Sequence, residues 1–161
     1  MNKTANSNQV AGGIGFYGVL VIKKFKDGKL IWESAPMKNK VVSGSGGYGR
    51  NLVLRRLCGD TTYGFAIDSA AIGSGSTAPV DSDTGLETPV LSSITISNTG
   101  VANDVATIDV FISDGSLANG TYREFGFFIG AQLFSRILIS PVYTKASGED
   151  TTFTYTLTST G

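Results

Sequence analysis

Alternation of apolar and polar residues along the chain predicts a protein built mainly from β-strands. The clearest run lies near the C-terminus, where Phe153, Tyr155 and Leu157 alternate with threonines, so that apolar groups face one side and hydroxyls the other. Residues 105–112 repeat this period, with Phe111 as the apolar residue that falls on the polar side. Further strands are indicated at 17–25, 29–34, 64–72, 90–97, 122–129 and 133–140.

Turn signals separate these runs at short intervals. Asp27-Gly28 lies between two apolar runs and predicts a two-residue hairpin turn, and Gly130 lies between two others at hairpin distance. Further turns are predicted at Asn98-Thr99-Gly100, Asp114-Gly115 and Ser147-Gly148. Short strands that follow one another without helices favour antiparallel pairing. The sequence therefore predicts a mainly β protein, an antiparallel β-sandwich with an N-terminal β-hairpin.

Residues 47–58 break the alternation and predict one short α-helix. Apolar residues recur there at helical spacing, and a helix would place four of them on one face: Val53, Leu54, Leu57 and Cys58. We expect this helix to cover an open end or face of the sandwich.

The length of 161 residues fits one domain of ordinary size. We expect an N-terminal arm over residues 1–16 and a single β-sandwich domain over residues 17–161. The first nine residues are polar and nearly uncharged, and we expect them to become ordered on a neighbouring subunit. No apolar window approaches about 18 residues, so neither a secretory signal nor a membrane span is expected.

Composition narrows the possible functions. The chain has 13 Lys and Arg against 13 Asp and Glu, and this zero net charge gives no basic field for nucleic acid or anionic lipid. It contains no His, which removes imidazole catalysis and His-ligated zinc. A lone cysteine, Cys58, leaves no internal disulfide or cysteine metal cluster. We therefore expect no enzyme activity, cofactor or metal.

Residues 44–49 match G-x-G-x-x-G, the pattern of a dinucleotide-binding turn. In such a turn, backbone N–H groups at the start of a helix bind a pyrophosphate. The preceding apolar run is short and no series of crossover helices follows. A flexible loop that leads into the helix is therefore the preferred interpretation.

Three acidic residues lie close together in the loop over residues 74–88: Asp81, Asp83 and Glu87. Their carboxylates could hold calcium, but their spacing does not match an EF-hand loop. Acidic residues in an exposed loop are usually solvated, and this is the preferred interpretation. A carboxylate pair for glycoside hydrolysis is not selected by any spacing along the chain.

Arg123 and Glu124 precede an apolar run on one arm of the hairpin through Gly130. If the two strands of this hairpin pair so that the numbers of facing residues sum to 260, Glu124 lies opposite Arg136. A shift of the pairing by one residue would place the two side chains on opposite faces of the sheet. A cross-strand ion pair is preferred to a catalytic acid, because no nucleophile or second titrating group stands out nearby.

Several ordered pieces of the sequence resemble a widespread group of tailed-bacteriophage virion structural proteins. The pieces are Ala71-Ile72-Gly73-Ser74-Gly75-Ser76-Thr77-Ala78-Pro79, then Asp83-Thr84-Gly85-Leu86-Glu87, then Gly120-Thr121-Tyr122-Arg123-Glu124-Phe125-Gly126-Phe127-Phe128, then Leu133-Phe134-Ser135-Arg136, and a closing Thr/aromatic strand. The match covers about residues 40–160. The chain departs from the pattern where Phe127 replaces a leucine and where Glu87 follows Leu86 directly. The motif positions are Gly73, Gly75, Pro79, Asp83, Thr84, Leu86, Arg123, Glu124, Gly126, Phe128 and Arg136.

The resemblance implies a structural role, because members of this group are tail, tail-fibre, baseplate or other virion components without enzymatic activity. We therefore expect a virion protein, made in the host cytoplasm, that contacts other virion proteins as a symmetric homo-oligomer in the tail, baseplate, collar or fibre-attachment region. Two alternatives stay open. One is a receptor- or carbohydrate-binding module, in which Trp32 or exposed tyrosines stack on a host-surface glycan, and the other is a capsid decoration protein. A glycan hydrolase is the least favoured interpretation.

Overall fold

The computed structural model describes residues 15–160, which form strands, one α-helix and one short 3-10 helix. The expected N-terminal arm lies outside this range, apart from its last two residues, which belong to the first strand. In chain order the elements are β1 (Gly15–Lys26), β2 (Lys29–Glu33), β3 (Met37–Lys38), β4 (Lys40–Val41), β5 (Ser43–Gly44), β6 (Tyr48–Gly49), α1 (Arg50–Leu57), β7 (Ser69–Gly73), β8 (Pro89–Thr95), β9 (Asn98–Ala102), β10 (Val105–Ile112), the 3-10 helix (Asp114–Ser116), β11 (Gly120–Ile129), β12 (Gln132–Lys145) and β13 (Glu149–Thr160).

The strands form two antiparallel sheets with the main hydrophobic core between them, so the predicted antiparallel β-sandwich is confirmed. Sheet A has the order β2-β1-β13-β10-β9, and β3 also pairs with β1. Sheet B has the order β4-β12-β11-β7-β8. A small ribbon of β5 and β6 leads into α1.

Local sequence accounts for the best-defined elements. Asp27 and Gly28 both have positive φ, 51° and 73°, as a type I′ turn requires, so the N-terminal hairpin of β1 and β2 is confirmed. In β13 the predicted alternation buries Phe153 and Tyr155. In β10 the same alternation leaves Phe111 about half exposed.

Aromatic rings join the two sheets in the centre of the core. Phe125 of β11 stacks on Phe153 of β13 with ring centroids 4.3 Å apart, and Phe127 stacks on Tyr155 at 4.5 Å. All four side chains are fully buried. Such pairs stabilise by area and by ring geometry. Because Phe125 and Phe127 face inward, the alternate residues of β11 face the outer side of sheet B.

Several sequence-based boundaries were wrong. Residues 64–68 are not a strand, and β7 begins only at Ser69. Asn98-Thr99-Gly100, predicted as a turn, lies in β9 at the edge of sheet A. An edge strand pairs on one side only and faces solvent, so polar residues and a glycine are tolerated there. β12 continues past the predicted end at residue 140 to Lys145.

The predicted helix is present but spans Arg50–Leu57 instead of residues 47–58, and its predicted apolar face was wrong. Helix α1 buries Leu52, which packs with Val41, Ile129 and Phe134 in a second, smaller cluster. The predicted face residue Val53 is half-buried, whereas Leu54, Leu57 and Cys58 are exposed. The helix contacts the ribbon, and Leu52 belongs to the same apolar cluster as Phe134 of β12, so packing against these elements decides which side is buried.

The start of α1 generates a testable prediction. Gly49 has φ of 46° and lies against Val42 and Phe134, where an added Cβ would meet backbone oxygens of both residues. We expect Gly49→Ala to lower the free energy of unfolding by about 2–5 kcal/mol, from backbone strain and overpacking. Urea unfolding followed by circular dichroism measures this change.

Gly115→Ala is the matched control for this substitution. Nothing lies within 4 Å of a Cβ added at Gly115, and its backbone is not in the left-handed region. We expect a change of less than about 1 kcal/mol. Equal effects at the two glycines would contradict the structural account of residue 49.

Candidate functional site

Seven of the eleven motif residues converge on the outer side of sheet B. Residues 74–88 connect β7 to β8 and form a strap over this surface, and Ser74 N–H donates to Thr88 O at 2.9 Å, which closes the strap at its base. Leu86 of the strap lies over Gly126 of β11. Beside Gly126 on the same side of the sheet lie Glu124 and Arg136.

Glu124 is a fully buried carboxylate that binds both ends of the strap. Its Oε1 accepts hydrogen bonds from the N–H groups of Gly75 at 3.0 Å and Thr88 at 2.7 Å. Its Oε2 accepts from Glu87 N–H at 3.0 Å and from Arg136 Nε at 2.9 Å. Three backbone donors and one guanidinium offset the desolvation of the charge.

Arg136 of β12 is 2% exposed and connects this carboxylate to the rest of the strap. Its Nη2 lies 2.9 Å from Glu124 Oε2 and donates to Thr77 Oγ1 at 3.3 Å. Its Nη1 donates to Asp83 Oδ2 at 3.0 Å. The planar guanidinium thus presents three nitrogens in a fixed geometry to these acceptors, whereas a lysine would present only one.

The acidic residues of the strap have partners within the chain. Glu87 Oε2 accepts from Thr77 N–H and Oγ1, both at 2.9 Å, and from Ser76 N–H at 2.7 Å. The Thr77 hydrogen bonds, assisted by Ser76 and Arg136, lower the pKa of Glu87 below 4.5 although burial opposes them. Asp81 pairs with Lys40 and Arg50. Among residues 15–160 no group of three or more Asp, Glu or Cys side chains is arranged to hold a metal ion.

Glycine is required where backbone and carboxylate approach closely. An added Cβ at Gly75 would lie 2.5 Å from Glu124 Oε1, and one at Gly73 would meet the same carboxylate. An added Cβ at Gly126 would lie 2.9 Å from Leu86 Cδ2. Glycine is therefore required at these three motif positions because the neighbouring atoms leave no room for a Cβ, and not because the backbone has a positive φ.

The predicted ion pair between Glu124 and Arg136 is confirmed, but it does not use the register in which paired residue numbers sum to 260. Gly126 faces Arg136 and Glu124 faces Leu138, so paired numbers sum to 262 in the middle of the hairpin. Glu124 and Arg136 are diagonal neighbours. Because the observed pairing is shifted by two residues, both side chains stay on the same face of the sheet. The two side chains are long enough to meet across the diagonal between the strands.

The structure brings together seven of the eleven motif residues: Gly73, Gly75, Asp83, Leu86, Glu124, Gly126 and Arg136. The other four lie outside this network. Pro79 and Phe128 are half-buried, whereas Thr84 and Arg123 are exposed. The spacing along the chain could not separate these two sets, since exposure depends on how the strap crosses the sheet.

A second ionic cluster was missed by sequence reasoning. Lys145, 2% exposed at the end of β12, contacts Asp114 at 2.6 Å and Asn119 at 3.3 Å. The hydrogen bond from Lys145 lowers the pKa of Asp114 against an opposing effect of burial. Nearby, Lys24 pairs with Glu149 at 3.1 Å. The partners are far apart in sequence, so no local signal indicates them.

The G-x-G-x-x-G segment forms the ribbon of β5 and β6. Its two strands have two residues each and pair antiparallel, and Gly47 N–H donates to Asn51 Oδ1 at 3.1 Å. A dinucleotide site needs a parallel strand followed by a helix. The segment is therefore an entry to α1, with defined hydrogen bonds instead of the expected flexible loop.

Trp32, the candidate for stacking on a glycan, is half-buried. Its ring centroid lies 6.4 Å from that of Tyr143, and Lys24 Nζ lies 5.7 Å from it. The side chain thus packs against the core, and a cation lies over its ring.

Comparison of the chain with protein-family models, with curated proteins and with solved structures gave no match. Over residues 15–160, no helix has the length and hydrophobicity needed to cross a bilayer.

The buried network predicts an asymmetric response to two arginine substitutions. We expect Arg136→Met to lower the free energy of unfolding by about 3–5 kcal/mol, because Glu124 would stay buried without its cation. Arg123→Met, on the exposed side of the neighbouring strand, should change it by less than about 0.5 kcal/mol. Urea unfolding of both variants measures this difference.

A double variant separates the ion pair from general packing damage. Glu124→Gln with Arg136→Met removes both charges, so the two losses should be strongly non-additive and the double variant more stable than Arg136→Met alone. Additive losses would show that the two side chains do not depend on one another.

The lowered pKa of Glu87 predicts that the free energy of unfolding depends on pH. Because its pKa is lower in the folded state than its ordinary value of 4.5, its contribution is present above pH 4.5 and is lost as the pH falls through the folded pKa. We expect the free energy of unfolding of Glu87→Gln to fall less steeply below pH 4.5 than that of the wild type. Chemical unfolding at a series of pH values measures both slopes, and identical slopes would contradict the assignment.

Proposed function

We propose that this chain is a structural subunit of a tailed-phage virion, in the tail, baseplate, collar or fibre-attachment region, that works through contacts between subunits. Two lines support the proposal. The first is the resemblance of the ordered motif pieces to virion structural proteins. The second is the use that the fold makes of those same pieces.

The observation that best supports this proposal is that the charged motif residues of the network face one another. Asp83, Glu124 and Arg136 bind the strap and each other through hydrogen bonds within the chain. A side chain used in this way fixes the shape of the protein and is not free to act on a substrate. This is the pattern expected of a subunit whose function is a rigid surface.

The edges of sheet A suggest where subunits meet. All five residues of β9 are exposed and uncharged, and Val101 is 80% exposed. The opposite edge strand, β2, carries Lys29 and Glu33, which discourage pairing with another chain. An uncharged edge strand without proline offers free backbone groups to a second strand. We infer that β9 takes part in a symmetric homo-oligomer.

Particle composition tests the virion role. Tailed particles purified on a density gradient from a culture that produces this chain should contain it at a fixed ratio to the other virion proteins, by quantitative peptide mass spectrometry. Finding the chain only in the soluble fraction, with none in assembled particles, would overturn the proposal.

The contact at β9 generates a separate prediction. Light scattering coupled to gel filtration should detect an oligomer of the wild type that Ala102→Lys shifts toward the monomer, because a charge on an edge strand opposes pairing. The matched control is Ala118→Lys at another exposed alanine, which should leave the mass unchanged. A wild-type monomer at all concentrations, or equal effects of both substitutions, would show that β9 is not a contact between copies.

A further inference from the structure

An apolar groove lies at one end of the sandwich, between the two sheets. Its volume is about 420 Å³, and it extends past Phe16 and Val53 along the exposed side of α1. Sheet A contributes Val101, Ala106 and Leu157, and Phe65 from the segment before β7 also lines the groove. The groove is therefore a continuation of the hydrophobic core that the described side chains leave open.

The apolar side chains around this groove are unusually exposed. Phe65 is 48% exposed and Val101 80%, and on α1 Leu54 and Leu57 are 62% and 73% exposed. Beneath them lies the smaller apolar cluster that contains Leu52 and Phe134. A continuous apolar surface of this kind, joined to the core, indicates a site that is covered in the working protein.

The end of the described chain indicates what covers it. The described residues begin at Gly15, directly before Phe16, which lines the groove. Fourteen residues precede Gly15, and the apolar ones nearest to it are Val10, Ala11 and Ile14, whereas Asn2 to Gln9 contain a single apolar residue, Ala5. The apolar residues of this segment are thus concentrated at the end that is attached beside the groove.

The alternation of side chains along β1 and the absence of charge in the preceding residues both favour this segment as the group that covers the groove. Ile14 has the same parity as Phe16 and Leu20, and Leu20 is buried on the inner side of sheet A. Residues 4–14 carry no charged side chain, so an apolar groove requires no desolvation of a charge. Gly12 and Gly13 permit the sharp change of direction that would return Val10 to the groove.

We infer that the groove is the docking site of residues 10–14 of the same chain, with Val10 and Ile14 as its apolar anchors. The attachment at Gly15 favours this occupant over a second copy, because a short tether holds the segment near the groove at an effective concentration of about millimolar. The docked segment completes the open end of the core and shields Val101 and Phe65 from water. This inference does not depend on the virion role.

The lone cysteine provides a probe of this contact. Cys58 is exposed and directly follows Leu57, which lines the extension of the groove along α1. An Ala11→Cys variant of the full chain should form an intramolecular crosslink to Cys58 with a short bismaleimide. We expect this reaction to be about tenfold faster than in the matched Ser7→Cys variant, whereas doubling the tether from Gly15 by itself changes the closure probability only about threefold.

Removal of the anchors completes the test. Val10→Asn with Ile14→Asn, added to Ala11→Cys, should reduce the intramolecular rate to that of Ser7→Cys, while Ala5→Asn should leave it unchanged. Hydrogen exchange of β9 in the wild type, compared with the Val10→Asn, Ile14→Asn variant, gives an independent readout, and we expect faster exchange when the anchors are lost.

Three results would overturn the inference. Crosslinked dimers in place of the intramolecular product would assign the groove to a second copy. Equal rates for Ala11→Cys and Ser7→Cys would show that the segment does not dock. An unchanged rate after loss of both anchors would show that Val10 and Ile14 do not bind the groove. None of these results bears on the presence of the chain in virions, so the two proposals fail independently.

Discussion

The buried carboxylate of Glu124 is the interaction on which the outer layer of this protein depends. It accepts backbone N–H groups from both ends of the strap and a guanidinium N–H from Arg136. A carboxylate without these donors would be too costly to bury, and a strap without the carboxylate would leave its N–H groups unpaired. Each part is stable because the other is present, which makes the strap an integral layer of the fold.

The two sides of sheet B use different physics. Its inner side is apolar, and Phe125 and Phe127 stack on rings of sheet A. Its outer side carries charges that are satisfied by hydrogen bonds of fixed direction. Burial of apolar groups is non-directional, whereas the hydrogen bonds of a guanidinium shared among several acceptors depend on direction. The core therefore supplies most of the driving force for folding, and the network specifies where the strap lies.

This division bears on both proposals. The charged residues of the network bind one another and the strap, and two uncharged surfaces are open to contact: the edge strand β9 and the apolar groove at the open end. Neutral polar and apolar surfaces associate without the cost of desolvating ions. A subunit of an assembled particle needs such surfaces together with a rigid shape. The groove differs from the edge because it continues the core, which is the reason to assign it to the chain's own segment.

Local chemistry determined much of the architecture. Alternation in β10 and β13, the positive-φ turn at Asp27 and Gly28, and the presence of helix α1 could all be predicted, because each depends on residues adjacent in sequence. Tertiary packing alone decided that Leu52 and not Leu54 is buried, that residues 98–100 form an edge strand, and that Glu124 meets Arg136 across a diagonal. A one-dimensional pattern records which side chains share a face. It does not record which faces meet, since that depends on the free energy of burying all of them together.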